Sequence, residues 1–476
     1  MAKRLSKSDF LDYRACAKSF WLKHNKPHAI TWPAPGAFDR MLMRDGYAVE
    51  AQVKLLVQDW SNPEQLIFQK IFNAERCYAR ADLVREYSDG TIDVFEIKGS
   101  TSLKSSTGAD HIDDAGFQVA VAKMLGISVR SANIIHVNGD YVRIGDLDPA
   151  ALFVLVDVTA EVNEREAVLA AEISAALDQL AQSEIDEQGC SCRHIGSLDR
   201  HCASFAYFNT DVKFPSAHHL PRISAKALTT LDGEGRLAIH DVSEADVTKT
   251  QLPVLRAFLS GEPQISVDKI AEFLAKLVWP LYFYDYETFA SAIPLANGHQ
   301  PQQQLPVQLS LHRLDKNGDL THFEFLADRP GQESELCEAL IAAAGDTGSA
   351  VVWNASFEKS CNKRLSKLLP NHTDYFERLN ERTVDLMVPF KADYVHPGFQ
   401  GSTSIKKVLP VVCPELQYPK DTVHDGAGAM EAWAEMTSTE NAKRREELRK
   451  ELLTYCHLDS LAMVEIFKVL RTVAAH

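Results

Sequence analysis

Two sets of carboxylates and one set of thiols stand out in this chain by residue type and spacing. Asp82 and Glu96 fall in neighbouring segments that read as paired strands, and Glu96-Ile97-Lys98 puts a carboxylate and an ammonium on one side of the second strand. Facing carboxylates repel unless a cation sits between them, and hard oxygen donors suit Mg2+ or Mn2+ held together with a phosphate. A lysine beside them can orient or activate water. Asp285 and Glu287 alternate in the same way, with Tyr284 and Tyr286 on the opposite side, while Tyr455 and Asp459 share one face of a helix at four-residue spacing. With Glu358 this second set offers four acids, enough for two cations roughly 4 Å apart, one activating water and one stabilising a leaving oxygen. Both sets suit hydrolysis of a phosphodiester. Cys16, Cys190, Cys192 and Cys202 form the third set, four soft ligands that meet if the ends of the first domain lie together.

These residues need a frame. Cys77–Tyr87 and Thr91–Lys98 read as strands around Ser88-Asp89-Gly90, a three-residue hairpin loop with Gly in the left-handed position. That loop sets Asp82 opposite Glu96, Arg80 opposite Lys98 and Arg85 opposite Asp93, with Phe95 and Ile97 turned to a core. A two-residue loop would set Glu86 against Asp93 and turn Asp82 away. Further on, Leu281-Tyr282-Phe283-Tyr284 is a buried-strand signal, and Asn317-Gly318 between Val307–Leu314 and Leu320–Leu326 is a hairpin signal. A helix near Glu333–Ala344, a strand at Ala350–Trp353, a helix from Phe357 and a long terminal helix around Asn441–Val473 follow. The expected fold class is α/β. Texture changes place a first domain at 1–205, a connector at 206–277 and a second domain at 278–476.

Composition narrows the classes. The 476 residues are 45% hydrophobic and 24% charged, which is globular usage, and exclude disordered or fibrous readings. Net charge is −15, so a uniformly basic coat for indiscriminate nucleic-acid binding is excluded and a polyanion must be gripped locally. The charged start and the lack of a long apolar run predict a cytoplasmic protein without a membrane segment. Nine cysteines are too sparse for a disulfide scaffold, which favours reduced thiols or metal ligands. Phe10, Tyr13 and Phe20 read as a buried helical stripe with lysines in water, and Lys406 and Lys407 as candidates for phosphate contact.

With Asp82 as the aspartate and Glu96-Ile97-Lys98 as the (D/E)xK element, the first domain resembles the PD-(D/E)xK nucleases of the RecB type. Leu5-Ser6-Lys7-Ser8-Asp9-Phe10 and Cys16-Ala17-Lys18 are similar to that family's opening, and Phe117-Gln118 to its later glutamine helix. The resemblance implies catalytic roles for Asp82, Glu96, Lys98 and Gln118. It extends to Glu50, although the family often has histidine there. Related nucleases of CRISPR adaptation and of the AddB type carry one cysteine before the core and three after it. That likeness implies a structural 4Fe-4S cluster on Cys16, Cys190, Cys192 and Cys202. The Cys190-x-Cys192 pair is narrower than theirs, and zinc held with His194 or His201 is the alternative.

The second half resembles the DnaQ-like DEDD exonucleases on a ribonuclease H-like fold. The matching elements are Asp285-Tyr286-Glu287, Asn354-Ala355-Ser356-Phe357-Glu358 and Tyr455-Cys456-His457-Leu458-Asp459, the last similar to the tyrosine-type subclass. The resemblance implies metal ligation by Asp285, Glu287, Glu358 and Asp459, with Tyr455 at the attacking water. That family generally has Asp where Glu358 stands, and Asp385 is the alternative ligand. The pairing of both halves, with Ser402-Thr403-Ser404-Ile405-Lys406-Lys407 between the later motifs, is similar to an uncharacterised bacterial family. The combined expectation is a nuclease acting on DNA first and RNA second, in genome defence or repair. Two alternatives stand beside it: one active site with the other gripping substrate, and a non-catalytic nucleic-acid-binding scaffold.

Overall fold

A computed structural model describes residues 3–62, 65–106, 109–418, 423 and 425–475. They divide into two compact units, Met1–Pro35, Met41–Val212 and Ala292–Gln302 in one, and Gly36–Arg40, Lys213–Ser291 and Gln303–His476 in the other. Each unit is mixed α/β and built on one open sheet, six-stranded in the first and five-stranded in the second. Among the described residues no helix is long and apolar enough to cross a membrane.

In the first unit, helices α1 (Lys7–Ala15), α2 (Ala17–Asn25) and α3 (Ala37–Leu56) precede strands β1 (Leu66–Asn73), β2 (Cys77–Glu86) and β3 (Ile92–Lys98). Helix α4 (His111–Met124), strands β4 (Val129–Val137) and β5 (Phe153–Asp157) and helix α5 (Thr159–Ala181) complete it. β2 and β3 are antiparallel through the expected loop, with Gly90 at φ 80° and its N–H on the Tyr87 carbonyl. β3 and β4 are parallel, which requires a crossover, and α4 provides it. Phe95 and Ile97 pack toward Val49 and Val53 of α3, while Ala81 and Val94 face Phe10 and Phe117 on the other side of the sheet.

The ladder between β2 and β3 keeps the expected register, Arg85 opposite Asp93, but its last pair is Leu83 with Phe95. Beyond it the expected pairs of Asp82 with Glu96 and Arg80 with Lys98 do not form ladder rungs. Two residues, Leu5 and Ser6, pair in parallel with Cys77 and Tyr78 instead, and the Asp82 carboxylate accepts the Ile97 N–H at 2.9 Å.

The second unit opens with short helices α6 (Ala225–Gly233), α7 (Leu252–Ser260) and α8 (Val267–Leu274), which bury Leu228, Leu255 and Ile270. Residues expected as a connector therefore carry their own packed structure, and those from Lys213 onward cluster with this unit. Then come β6 (Leu281–Phe289), β7 (Leu305–Leu314), β8 (Leu320–Leu326), α9 (Glu333–Ala344), β9 (Ser349–Val352), α10 (Ala355–Leu368), α11 (Thr373–Glu381) and β10 (Thr383–Asp385). Helices α12 (Ile405–Val412), α13 (Gly426–Ser438) and α14 (Ala442–Ala474) close the unit. Sheet order is β8-β7-β6-β9-β10, so β6 is central. Its Tyr282, Tyr284 and Tyr286 join a core with Leu336 and Phe376, and Leu281 and Phe283 face Phe467 and Met463 of α14. Asp285 and Glu287 continue the α14 side of the strand, as period-two alternation requires.

Candidate functional site

The first acidic set is built around Glu96, whose exposure is only 1%. Ser6 caps α1 through a reciprocal bond with Asp9, which fixes the start of the helix and holds Lys7 at its first position. Lys7 Nζ reaches Glu96 Oε1 at 2.7 Å, and Lys98 Nζ reaches the same oxygen at 2.7 Å. Lys98 also pairs with Asp114, and the Gln118 amide donates to Glu96 Oε2. Asp114 and Gln118 share the inner face of α4 at four-residue spacing. Burial opposes charge on Glu96, but Lys7 and Lys98 outweigh it and hold the carboxyl below its ordinary range. Asp82 is pushed up to about 7 by burial and by the neighbouring Glu96 charge.

Asp82, Glu96, Lys98 and Gln118 thus come together as expected, joined by Lys7 and Asp114. Glu50 has partners of its own. It accepts from Gln69 of β1 at 2.7 Å and pairs with Lys54 one turn along α3 at 2.7 Å. Among the described residues Asp82 and Glu96 belong to no trio of metal-ligating atoms within 4.8 Å. Two lysines balance the carboxylates of this site.

The second acidic set is different in kind. Asp285, Glu287 and Asp459 each place a carboxylate oxygen within 4.8 Å of the others. They line a cleft of about 370 Å3 together with Glu358, Lys406, Tyr455, Trp353 and Phe357. Burial, reinforced by mutual repulsion, holds Asp285 and Glu287 well above the carboxylate range, and burial raises Asp459 to about 6. Glu358 is pushed up to about 9 by burial and by Asp285. Its Oε2 is buried without a hydrogen-bond partner.

Converging hard oxygen donors are the donor set that divalent cations of the Mg2+ and Mn2+ class satisfy. Among the described residues the only ammonium lining the cleft is Lys406 of α12, which donates to Tyr455 Oη at 2.8 Å and lies over the rings of Tyr418 and Tyr455. Tyr418 donates its hydroxyl to Asp459, and Cys456 Sγ lies 3.9 Å from Asp285 Oδ2.

Glu358 and Asp385 have separate places. Asp385 Oδ1 accepts the backbone N–H groups of Asn354 at 3.1 Å and Met387 at 3.0 Å. It thereby holds Asn354 at φ 75°, the left-handed turn from which α10 starts and presents Glu358 to the cleft. Glu358, not Asp385, faces the acids. Tyr418 was invisible to spacing arguments, since it lies outside the regular elements.

The third set converges fully. One sulfur from each of Cys16, Cys190, Cys192 and Cys202 lies within 4.8 Å of the others, and no histidine belongs to that group among the described residues. Cys16 sits at the extended break between α1 and α2, and Cys190 and Cys192 lie in a short turn after α5. His201 instead bonds the Ile195 carbonyl and stacks on Phe205, so a mixed Cys/His site with that residue is not formed. Asn209 donates to Cys190 Sγ at 3.3 Å, and the Ser204 hydroxyl lies 3.5 Å from Cys202 Sγ. Four thiols, three of them buried, with polar neighbours at sulfur form a group that can hold a soft metal. The remaining cysteines, Cys77, Cys337, Cys361, Cys413 and Cys456, are buried singly, as expected of small apolar side chains.

Comparison with known proteins is sparse. The profile of a domain of unknown function, DUF2779, matches residues 282–404. That segment contains Asp285, Glu287, Glu358 and Asp385 but ends before Lys406, Tyr455 and Asp459, and it does not reach the first unit. No curated protein matches the chain.

Proposed function

We propose that the protein is a metal-dependent nuclease whose hydrolysis takes place in the acidic cleft of the second unit. The observation that carries this is the approach of three carboxylates, Asp285, Glu287 and Asp459, within 4.8 Å, with Glu358 beside them holding an unpartnered buried oxygen. Divalent ions held by these residues would supply Lewis-acid activation of water and stabilise the leaving oxygen. Tyr455 stays protonated, because burial and the Asp459 charge push its hydroxyl up. Held by Lys406, it can orient a water molecule for attack. Lys406 brings positive charge to where a scissile phosphate adds negative charge, and Trp353 and Phe357 offer faces for base stacking. This agrees with the likeness to tyrosine-type DEDD exonucleases.

For the first unit, Asp82, Glu96, Lys98 and Gln118 support the PD-(D/E)xK reading. The engagement of Glu96 by Lys7 and Lys98 favours a supporting role in gripping substrate. At the cysteines, family likeness favours a 4Fe-4S cluster. The 3.9 Å between Cys190 and Cys202 sulfurs favours a single tetrahedral ion, since metal–sulfur bonds of about 2.3 Å set ligand sulfurs roughly 3.8 Å apart. Metal analysis and visible absorbance separate the two.

End-labelled single- and double-stranded DNA and RNA, digested by wild type, Lys98→Ala and Asp459→Asn, test the assignment. Asp459→Asn is expected to abolish Mg2+- or Mn2+-dependent product ladders, with DNA the better substrate, while Lys98→Ala weakens substrate binding and leaves turnover at saturation. Full activity in Asp459→Asn would reject the cleft as the site of hydrolysis.

A further inference from the structure

The second unit holds a further cluster that hydrolysis in the acidic cleft does not use. His312 of β7 and His322 of β8 are direct partners in the antiparallel ladder, and His457 meets them from α14. One nitrogen from each ring lies within 4.8 Å of the others, and the ring centroids are 4.3 to 4.9 Å apart. His457 Nδ1 is 3.3 Å from either nitrogen of His322. A tetrahedral ion with metal–nitrogen bonds of about 2.0–2.1 Å sets its ligand nitrogens roughly 3.4 Å apart.

Outer partners are in place as well. His312 Nδ1 meets Ser460 Oγ at 2.9 Å, His322 Nε2 meets Ser310 Oγ at 2.9 Å, and the two hydroxyls are 2.7 Å apart. In metal sites such a bond to the second ring nitrogen fixes the tautomer and aims the first one at the ion. Here it leaves His312 Nε2 and His322 Nδ1 to turn toward His457.

We propose that His312, His322 and His457 bind a divalent transition-metal ion of the zinc class, at a site separate from the acidic cleft. Imidazole donors select Zn2+ and its neighbours over Mg2+, which takes oxygen ligands. Burial, then the adjacent rings, hold His312 at about 3 and His322 at about 4, so both are neutral, the ligating form, at physiological pH. His322 and His457 are only partly buried, which gives an ion a route in. The bound ion joins the β7–β8 hairpin to α14, the helix that also carries Tyr455 and Asp459. Within the β6–β7 ladder His312 faces Phe283 and Ser310 faces Asp285, so the histidines continue the sheet face that bears the acids. The ion therefore braces the wall of the cleft without entering it.

Titration of untagged, chelator-stripped full-length protein with Zn2+ tests this, in excess Mg2+ to saturate the carboxylates. His322→Gln and His457→Gln are each expected to bind one equivalent less Zn2+ than wild type, with the four-cysteine metal content unchanged. Saturating Zn2+ should raise the wild-type melting midpoint roughly 5–10 °C more than that of either variant. Co2+ substitution should give visible ligand-field bands, additional to those of the four-cysteine group, that the variants lack. Equal Zn2+ stoichiometry in wild type and both variants overturns the proposal. Should a variant fail to fold, wild-type crystals soaked in Zn2+ decide by anomalous scattering: a peak among the three rings upholds the site, and none overturns it. Asp285→Asn retains this equivalent, so a failure of the nuclease reading is distinguishable from a failure here.

Discussion

Asp285→Asn is expected to lower divalent-dependent cleavage about 1,000-fold or more and, in the same protein, to raise the melting temperature of the metal-free form. The loss in rate follows from removing a carboxylate that three-dimensional convergence places beside Glu287 and Asp459. A thousandfold corresponds to about 4 kcal/mol of barrier, within the several kcal/mol that positioned cations contribute to phosphoryl chemistry. The gain in stability follows from the same geometry. Asp285 is buried among like charges and held well above the carboxylate range. An acid raised in the folded state stabilises the fold below its unfolded value and loses that contribution as pH rises through the folded one. Metal-free wild type should therefore lose stability from about pH 4 upward, through the Asp459 value of about 6 and on toward the Glu358 value of about 9.

Asparagine in place of Asp285 removes one of these charges and is expected to recover on the order of 2 kcal/mol at pH 8. Mg2+ or Mn2+ should stabilise wild type increasingly as pH rises and stabilise the variant less. Thermal unfolding at several pH values, with and without Mn2+, checks this together with the digestion assay. A variant that is both active and less stable than wild type without metal would contradict the reading of the cleft.

Cys192→Ser is expected to empty the four-thiol group of metal and to destabilise the first unit by about 4 kcal/mol or more. Binding of structural metal by thiolates is folding free energy, about 10–16 kcal/mol in small zinc peptides, and a tetrahedral site with three good ligands loses much of it. The cluster joins Cys16, at the break between α1 and α2, to Cys190, Cys192 and Cys202 beyond α5, so its loss removes one tie between the N-terminal helices and the end of the unit. Metal content, visible absorbance and melting curves read the effect. An unchanged melting midpoint in a metal-free Cys192→Ser protein would show that the cluster does not hold the unit together.

Local chemistry made much of the fold legible. The length of the Ser88-Asp89-Gly90 loop fixed the register of β2 and β3, Asn317-Gly318 marked the β7–β8 turn, and alternation put Asp285 and Glu287 on the α14 side of β6. The pairing of Leu5 and Ser6 with Cys77 and Tyr78 was not legible, because it brings together segments distant in sequence. The partner of Glu50 was not legible for a related reason: a helix shows which residues share a face, but not which strand that face meets, and Gln69 of β1 bonds its carboxylate.

Asp114 had a readable signal, the four-residue spacing from Gln118. Tyr418 had none. The His312–His322 pair was available from the hairpin register around Asn317-Gly318, yet His457 joins it only through the packing of α14. In general, pairings within an element or across a tight turn follow from periodicity, whereas convergence between distant elements is a property of the packed chain.

The central claim is that Asp285, Glu287 and Asp459 hold a divalent ion, and anomalous scattering from crystals soaked in Mn2+ measures this most directly. A manganese peak bridging those carboxylates, absent from Asp459→Asn crystals under the same conditions, is the predicted result. Fully ordered side chains with no peak between them at saturating Mn2+ would contradict it.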